Sequence, residues 1–253
     1  MQNLFCVQDK VICVSGGSLG IGRAIAESFQ DAGARVIVSA KNEAALRATG
    51  LDYQVCDVTD SAQIGRCVDH IIDRFGQLDV LFNVAGLNFR HAAVSFPEQR
   101  LDEILAVNVR GSFLMAKCCG AAMVRRRRGK IVNIASLHTQ QSLAGVSAYG
   151  MSKGAIGSMT RALAVEWAAS NVQVNAIAPG FIRTDMNAAL WKDEAIRGWV
   201  ERRTPAGRLG EPRDLLGTAL FLASAASDFM TGQILYVDGG FTAGSTWPLE
   251  ISE

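Results

Sequence analysis

Short apolar, β-branched runs alternate along this chain with longer stretches in which apolar residues recur every three or four positions. The short runs are 10–15 (KVICVS), 35–39 (RVIVS), 53–56 (YQVC), 78–82 (LDVLF), 130–134 (KIVNI), 172–177 (VQVNAI) and 233–237 (QILYV). Their apolar residues are consecutive rather than alternate, as in strands covered on both faces. After the first run, Ile21, Ala24, Ile25, Phe29 and Ala32 fall on one face of a helix over 21–32. Helices are also predicted over 61–74, 98–124, 149–169 and 212–223. This alternation implies an α/β protein with a seven-stranded parallel sheet and helices on both faces. Neither an internal repeat nor a linker rich in Pro, Gly or Ser divides the sequence, so one domain over 1–253 is expected. The segment 181–210 interrupts the alternation between the sixth and seventh strands. It follows a strand's C-terminal end, where such folds bind ligands, so it is either a substrate-covering loop or a surface helical excursion.

Composition narrows the functional classes. The chain has 253 residues, 49% hydrophobic and 19% charged, as expected of a globular protein rather than a disordered one. A formal net charge of +1 makes no electrostatic case for nucleic acid or an anionic membrane as partner. No apolar run reaches the ~18 residues of a membrane span, and the first residues do not read as a secretory signal. The six cysteines (6, 13, 56, 67, 118, 119) form no C-x-x-C pair, which fits a reducing cytoplasm and small core residues. The three histidines are scattered, so no metal site is expected. The basic run 125–128 reads as a solvated helix end before a strand.

Two stretches carry candidate chemistry. The first strand runs into "SGGSLGIG" (15–22), in which Gly16, Gly20 and Gly22 let the backbone turn tightly against a pyrophosphate. The helix that follows presents open N–H groups and its positive dipole end. The second strand ends in "VSAKNE", where an NAD site would usually carry an acid for the ribose 2′-hydroxyl. Lys41 stands there instead, with the Ser39 hydroxyl nearby, which favours NADP(H) and leaves NAD(H) possible. In "YGMSK" (149–153), Tyr149 and Lys153 share a helix face. A phenol ordinarily titrates near ~10; a neighbouring cation lowers that value and makes the phenol a usable general acid or base.

From about residue 8 to residue 243 the motifs resemble, in order, those of the short-chain dehydrogenase/reductase family. The resemblance implies a Rossmann-type doubly wound fold and an NAD(P)-dependent oxidoreductase interconverting a secondary alcohol and a ketone. It implies cofactor contacts from Gly16, Ser18, Leu19, Gly20 and Ile21, from Asp57 and Val58 in "CDVTD", and from Asn83, Ala85 and Gly86 in "NVAG". Further contacts would come from Pro179, Gly180, Ile182 and Thr184 in "PGFIRT". The implied catalytic set is Asn108, Ser136, Tyr149 and Lys153. Tyr149 moves the proton, Lys153 lowers its pKa and holds the nicotinamide ribose, Ser136 places the substrate oxygen, and Asn108 holds a relay water. Val84 departs from the family motif, as does Leu19, where NADP-dependent members often carry a basic residue. The apolar stretch 104–122, with 149–169, resembles the family's subunit-packing helices and implies a homotetramer. Phe241, Trp247 and Leu249 in the tail 241–253 would prefer burial against a neighbouring subunit.

The substrate is less constrained. The loops after the fourth and fifth strands carry Arg90 and His138, with Gln140 and Gln141, and are polar. Arg90 could bind a carboxylate. These residues and "RTPAGRLGEP" resemble a branch that includes gluconate 5-dehydrogenases, implying a sugar acid or keto-sugar acid such as gluconate or 5-ketogluconate. The alternatives are a 3-oxoacyl-thioester or broad ketone reductase, and a non-catalytic nucleotide sensor on the same fold.

Overall fold

The computed structural model describes residues 4–184 and 187–245. Its seven strands are β1 (Val11–Ser15), β2 (Arg35–Ala40), β3 (Asp52–Val55), β4 (Val80–Asn83), β5 (Gly129–Ile134), β6 (Val172–Pro179) and β7 (Ile234–Val237). They form one sheet in the order β3-β2-β1-β4-β5-β6-β7, with every pairing parallel. The chain winds outward from β1 in one direction and from β4 in the other. The C-terminal ends of β1 and β4 therefore flank the switch point, where a crevice opens.

Burial follows the sequence pattern. Every residue of β1, β4, β5 and β6 is buried, while the edge strands β3 and β7 are partly open. One core layer packs α1 (Gly20–Asp31) and α8 (Leu216–Ala223) on the sheet, with Phe29 against Phe82 at 5.1 Å between ring centroids. The opposite layer packs α3 (Ser61–Phe75), α5 (Ser112–Arg126) and α6 (Ser147–Trp167). Cys13, Cys56, Cys67 and Cys119 belong to this second core, as small apolar residues.

Two features depart from the expected elements, and the 181–210 excursion takes the helical one of its two readings. The helix predicted over 98–124 is α4 (Glu98–Ile104), then a π-helical segment Leu105–Gly111, then α5. The joined span Glu98–Arg126 is long and apolar enough to cross a membrane. Its buried residues Met115, Ala116, Cys119 and Met123 instead face the sheet core. A short helix α2 (Glu43–Arg47), capped by the Asn42 side chain, was not expected. The excursion 181–210 contains α7 (Glu194–Arg203), whose N-cap Asp193 accepts from the Ala195 and Ile196 amides. An isolated parallel bridge between Ile182 and Gly210 closes its base. Trp191, Val200 and Leu209 form its own small core against Phe181. Trp247 and Leu249 lie outside the described residues.

Candidate active site

The turn from β1 into α1 brings glycine backbone close to β4. Gly16 adopts φ +70, and a Cβ there would lie 2.7 Å from the Ala85 backbone. Its amide donates to the Ser39 carbonyl at 2.7 Å. The N-cap of α1 is Leu19, half exposed and apolar, so no side chain caps the first turn. Such a helix end presents N–H donors and positive dipole to an anion. Thr184 lies beside this turn, its methyl 3.4 Å from where a Gly20 Cβ would stand. Ile21 packs on the edge of the adjacent core and Ser18 is buried in the turn. The arrangement fits a dinucleotide pyrophosphate.

At the end of β2, Lys41 Nζ lies 3.1 Å from Asp57 Oδ2, with the lysine side chain 83% exposed. Partial burial pushes the Asp57 carboxyl up, but the Thr59 amide and hydroxyl, then Lys41, outweigh it and hold the carboxyl below its usual range. Val58 is buried and packs against Gly111 of the π segment. Ser39 corrects an expectation. Its side chain is 1% exposed, and its hydroxyl is buried without a hydrogen-bond partner. On β2 it shares the core-facing side with Ile37, beside Cys67. Asn83 is likewise committed inside the sheet: it accepts from Ser15 Oγ and donates to the Ser112 carbonyl at 2.7 Å. Its neighbours Ala85 and Gly86 continue from β4 along the crevice, and a Gly86 Cβ would lie 3.7 Å from Lys153 Nζ. From the other side Pro179 ends β6, Gly180 presses against Asp238, and Ile182 is buried in the bridge to Gly210.

The four residues singled out as catalytic come together between β5, α6 and the π segment. Ser136 follows β5, and its Oγ accepts the His138 amide at 3.2 Å. Its hydroxyl is also hydrogen-bonded with the Tyr149 phenol. Lys153 lies one turn along α6, with Nζ 5.6 Å from the Tyr149 ring centroid. It is 5% exposed and donates to the Ile134 carbonyl at 2.7 Å. Burial lowers its pKa to about 8. Asn108 accepts from the Leu87 amide at 2.8 Å and donates to the Leu87 carbonyl and to Ser152 Oγ. Both its Nδ2 hydrogens are thus spent on the protein. Its side chain is a strut between the β4 loop and α6, with one Oδ1 lone pair beyond the bond to the Leu87 amide.

The expected depression of the Tyr149 pKa is not what the structure holds. Burial raises the phenol above its ordinary value; the Ser136 hydrogen bond and the Arg90 charge only partly oppose this. Lys153 donates one of its three N–H groups to the Ile134 carbonyl. Ser152 was missed by sequence reasoning. It accepts from Asn108 and donates to the Tyr149 carbonyl at 2.7 Å, joining the π segment to α6. Its only sequence signal is its place between Tyr149 and Lys153.

Arg90 and His138 enter from two loops that are tied together by the His91 amide and the Gly145 carbonyl at 2.9 Å. Phe89 stacks on His91, meets Phe96 edge-on and lies under Arg100. The loop that carries Arg90 is therefore packed on aromatic rings. Arg90 is exposed and has no carboxylate partner among the described residues. His138 meets the Tyr149 ring at 84° with centroids 5.6 Å apart. A cavity of about 150 Å³ lies beside this site, under the excursion, between Phe181, Arg208 and Asp238. Arg208 is already paired with Asp214 there at 2.7 Å, and the cavity holds none of the four clustered residues.

A parallel sheet with a glycine turn at its switch point, and a Ser–Tyr–Lys cluster beside that turn, define a dinucleotide-dependent oxidoreductase. The chain belongs to the short-chain dehydrogenase/reductase family. A family model described as enoyl-(acyl carrier protein) reductase matches residues 16–242. The 5-keto-D-gluconate 5-reductase of Escherichia coli K12 is 39% identical over 249 residues, covering 95% of this chain and 98% of that protein. An NAD-dependent glycerol dehydrogenase of Listeria innocua is 39% identical over 245 residues, covering 94% and 96%. Among solved structures, a gluconate 5-dehydrogenase of Burkholderia cenocepacia J2315, in complex with NADP and tartrate, superposes with TM-score 0.91 at 35% identity. That match covers 96% of this chain and 98% of the other.

Proposed function

We propose that the protein is a cytoplasmic NADP(H)-dependent oxidoreductase that interconverts a sugar acid and its keto form, with gluconate and 5-ketogluconate as the type pair. The observation that carries this reading is Arg90, an exposed, unpaired guanidinium held beside Tyr149 on a packed loop. Arg is suited to bidentate recognition of a carboxylate. The names of the E. coli and Burkholderia relatives support the sugar-acid class. NADP is supported by Lys41 and by the cofactor in the Burkholderia structure, while the Listeria relative is named for NAD.

The cofactor supplies or accepts the hydride when bound. The turn at Gly16–Ile21, Lys41, Asp57 and Thr184 hold it, with Val58, Ala85, Gly86, Pro179, Gly180 and Ile182 as walls. Ser136 donates to the substrate oxygen and positions it. Tyr149 gives that oxygen a proton in ketone reduction and takes one in alcohol oxidation. Burial, by raising the phenol above its ordinary value, works against its acidity, and the Ser136 hydroxyl and the Arg90 charge oppose that rise. Lys153, one helical turn from Tyr149 and anchored on the Ile134 carbonyl, keeps two N–H groups for the nicotinamide ribose and the proton path. Asn108 and Ser152 hold the α6 end and the β4 loop in register. Exposed Phe113 on α5 and Met151 and Val165 on α6 support a homo-oligomer, with the tetramer as the expected form.

Oxidation of NADPH and NADH is followed with 5-keto-D-gluconate, simple ketones and acetoacetyl thioester, using Tyr149→Phe and Arg90→Ala. Tyr149→Phe is expected to lose turnover by roughly 100-fold or more while still binding NADPH. Arg90→Ala is expected to raise KM for the keto-acid alone. Turnover confined to the thioester or to plain ketones would refute the sugar-acid reading.

A further inference from the structure

His138 has a fixed hydrogen-bonding polarity. Its Nδ1 lies 3.2 Å from the Gln141 carbonyl oxygen. A carbonyl only accepts, so Nδ1 carries the proton and Nε2 carries a lone pair in the neutral ring. No group among the described residues donates to Nε2. The ring is half-buried, and its backbone amide is anchored on Ser136 Oγ at 3.2 Å. Its plane stands against the Tyr149 ring at 84°. An orphan acceptor is thus held two residues from the serine and edge-to-face with the tyrosine between which the reacting oxygen must sit.

We infer that His138 selects substrates bearing a hydroxyl on the carbon next to the reacting centre, accepting that hydroxyl's proton at Nε2. A plain ketone offers Nε2 no hydrogen bond and forgoes that stabilisation. An α-hydroxyketone or vicinal diol satisfies it. This rests on the proposed oxidoreductase site but not on the carboxylate assigned to Arg90. The charged and titratable groups facing the ring are Arg90, from the loop after β4, and Tyr149, from α6. Burial and then the Arg90 charge hold the imidazole below its ordinary value, so the acceptor form prevails at neutral pH.

The test compares 3-hydroxy-2-butanone with 2-butanone, which differ by that one hydroxyl, and runs 5-keto-D-gluconate in parallel. With NADPH, the wild-type kcat/KM is expected to favour the hydroxyketone by about 5- to 100-fold. His138→Leu should bring the ratio close to one by slowing the hydroxyketone alone, and His138→Gln, whose amide oxygen can accept, should restore part of it. The wild-type ratio should also fall as acid protonates His138, below ~6.5. The inference is overturned if the wild type shows no preference for the hydroxyketone, if His138→Leu slows both ketones alike, or if the ratio survives the substitution. Failure of 5-keto-D-gluconate with the hydroxyketone preference intact refutes the sugar-acid reading alone. Turnover of 5-keto-D-gluconate without that preference refutes only the role given to His138.

Discussion

Replacing Lys41 with Ala tests how the structure chooses its cofactor. Lys41 has one partner, the Asp57 carboxylate at 3.1 Å, and its side chain is 83% exposed. An exposed pair of this kind stabilises by only about 0–1 kcal/mol. A charge-assisted hydrogen bond to a 2′-phosphate contributes about 1.5–3 kcal/mol. Moving the ammonium from Asp57 toward the phosphate therefore nets about 0.5–3 kcal/mol, and Asp57 sets part of that balance. Lys41→Ala should lower kcat/KM for NADPH by roughly 2- to 150-fold. NADH has no phosphate at this position, so its kcat/KM should stay within about 2-fold; the exposed pair it loses contributes little. Steady-state rates at fixed ketone concentration, with each cofactor varied, read both numbers. The ratio should narrow at high salt, since the contact is exposed. Equal losses for the two cofactors would mean that Lys41 supports the fold of the pocket. Unchanged NADPH kinetics would mean that another group reads the phosphate. Either result refutes the reasoning.

Two further substitutions probe stability and close packing. Lys153 titrates near 8 in the fold against 10.5 as its ordinary value, so the unfolded chain binds more protons between these limits. The burial cost, about 3 kcal/mol, is then fully present below 8 and relieved as pH rises toward 10.5. Lys153→Met should accordingly raise the urea midpoint relative to wild type at pH ~7 and lose that advantage by pH ~10; an advantage independent of pH would show that the lysine is not held at a lowered pKa. At Gly180, a Cβ would fall 2.7 Å from the Asp238 Cα, so neither backbone can yield cheaply. Gly180→Ala should destabilise by about 1–3 kcal/mol in denaturant unfolding and raise KM for the cofactor; unchanged stability would show that the β6 and β7 ends separate freely.

Periodicity alone determined most of the architecture. The seven apolar runs became the seven strands within a few residues, because strands covered by helices must be apolar on both faces. The glycine turn and the Tyr149–Lys153 pair were also legible, since both depend on spacing within one local element. What the sequence could not carry was direction and competition among side chains. Ser39 reads as a cofactor ligand next to Lys41, but strand alternation sends it into the core. Tyr149 and Lys153 read as a phenol lowered by an ammonium. The fold instead gives Lys153 the Ile134 carbonyl and half-buries Tyr149, because a buried ammonium takes the nearest acceptor. The π segment at Leu105–Gly111 has no pattern distinguishable from α-helix, yet it carries Asn108 to Leu87 and Ser152. The sequence left 181–210 open between a loop and a helical excursion, because the buried face of α7 meets a small core closed by Phe181 and Leu209, on either side of it in the chain. The pairing of Lys41 with Asp57 and, among the described residues, the lack of a carboxylate partner at Arg90 and of a donor to Nε2 of His138 are tertiary facts. Each depends on which groups distant in the chain come within reach, and local periodicity holds no record of that.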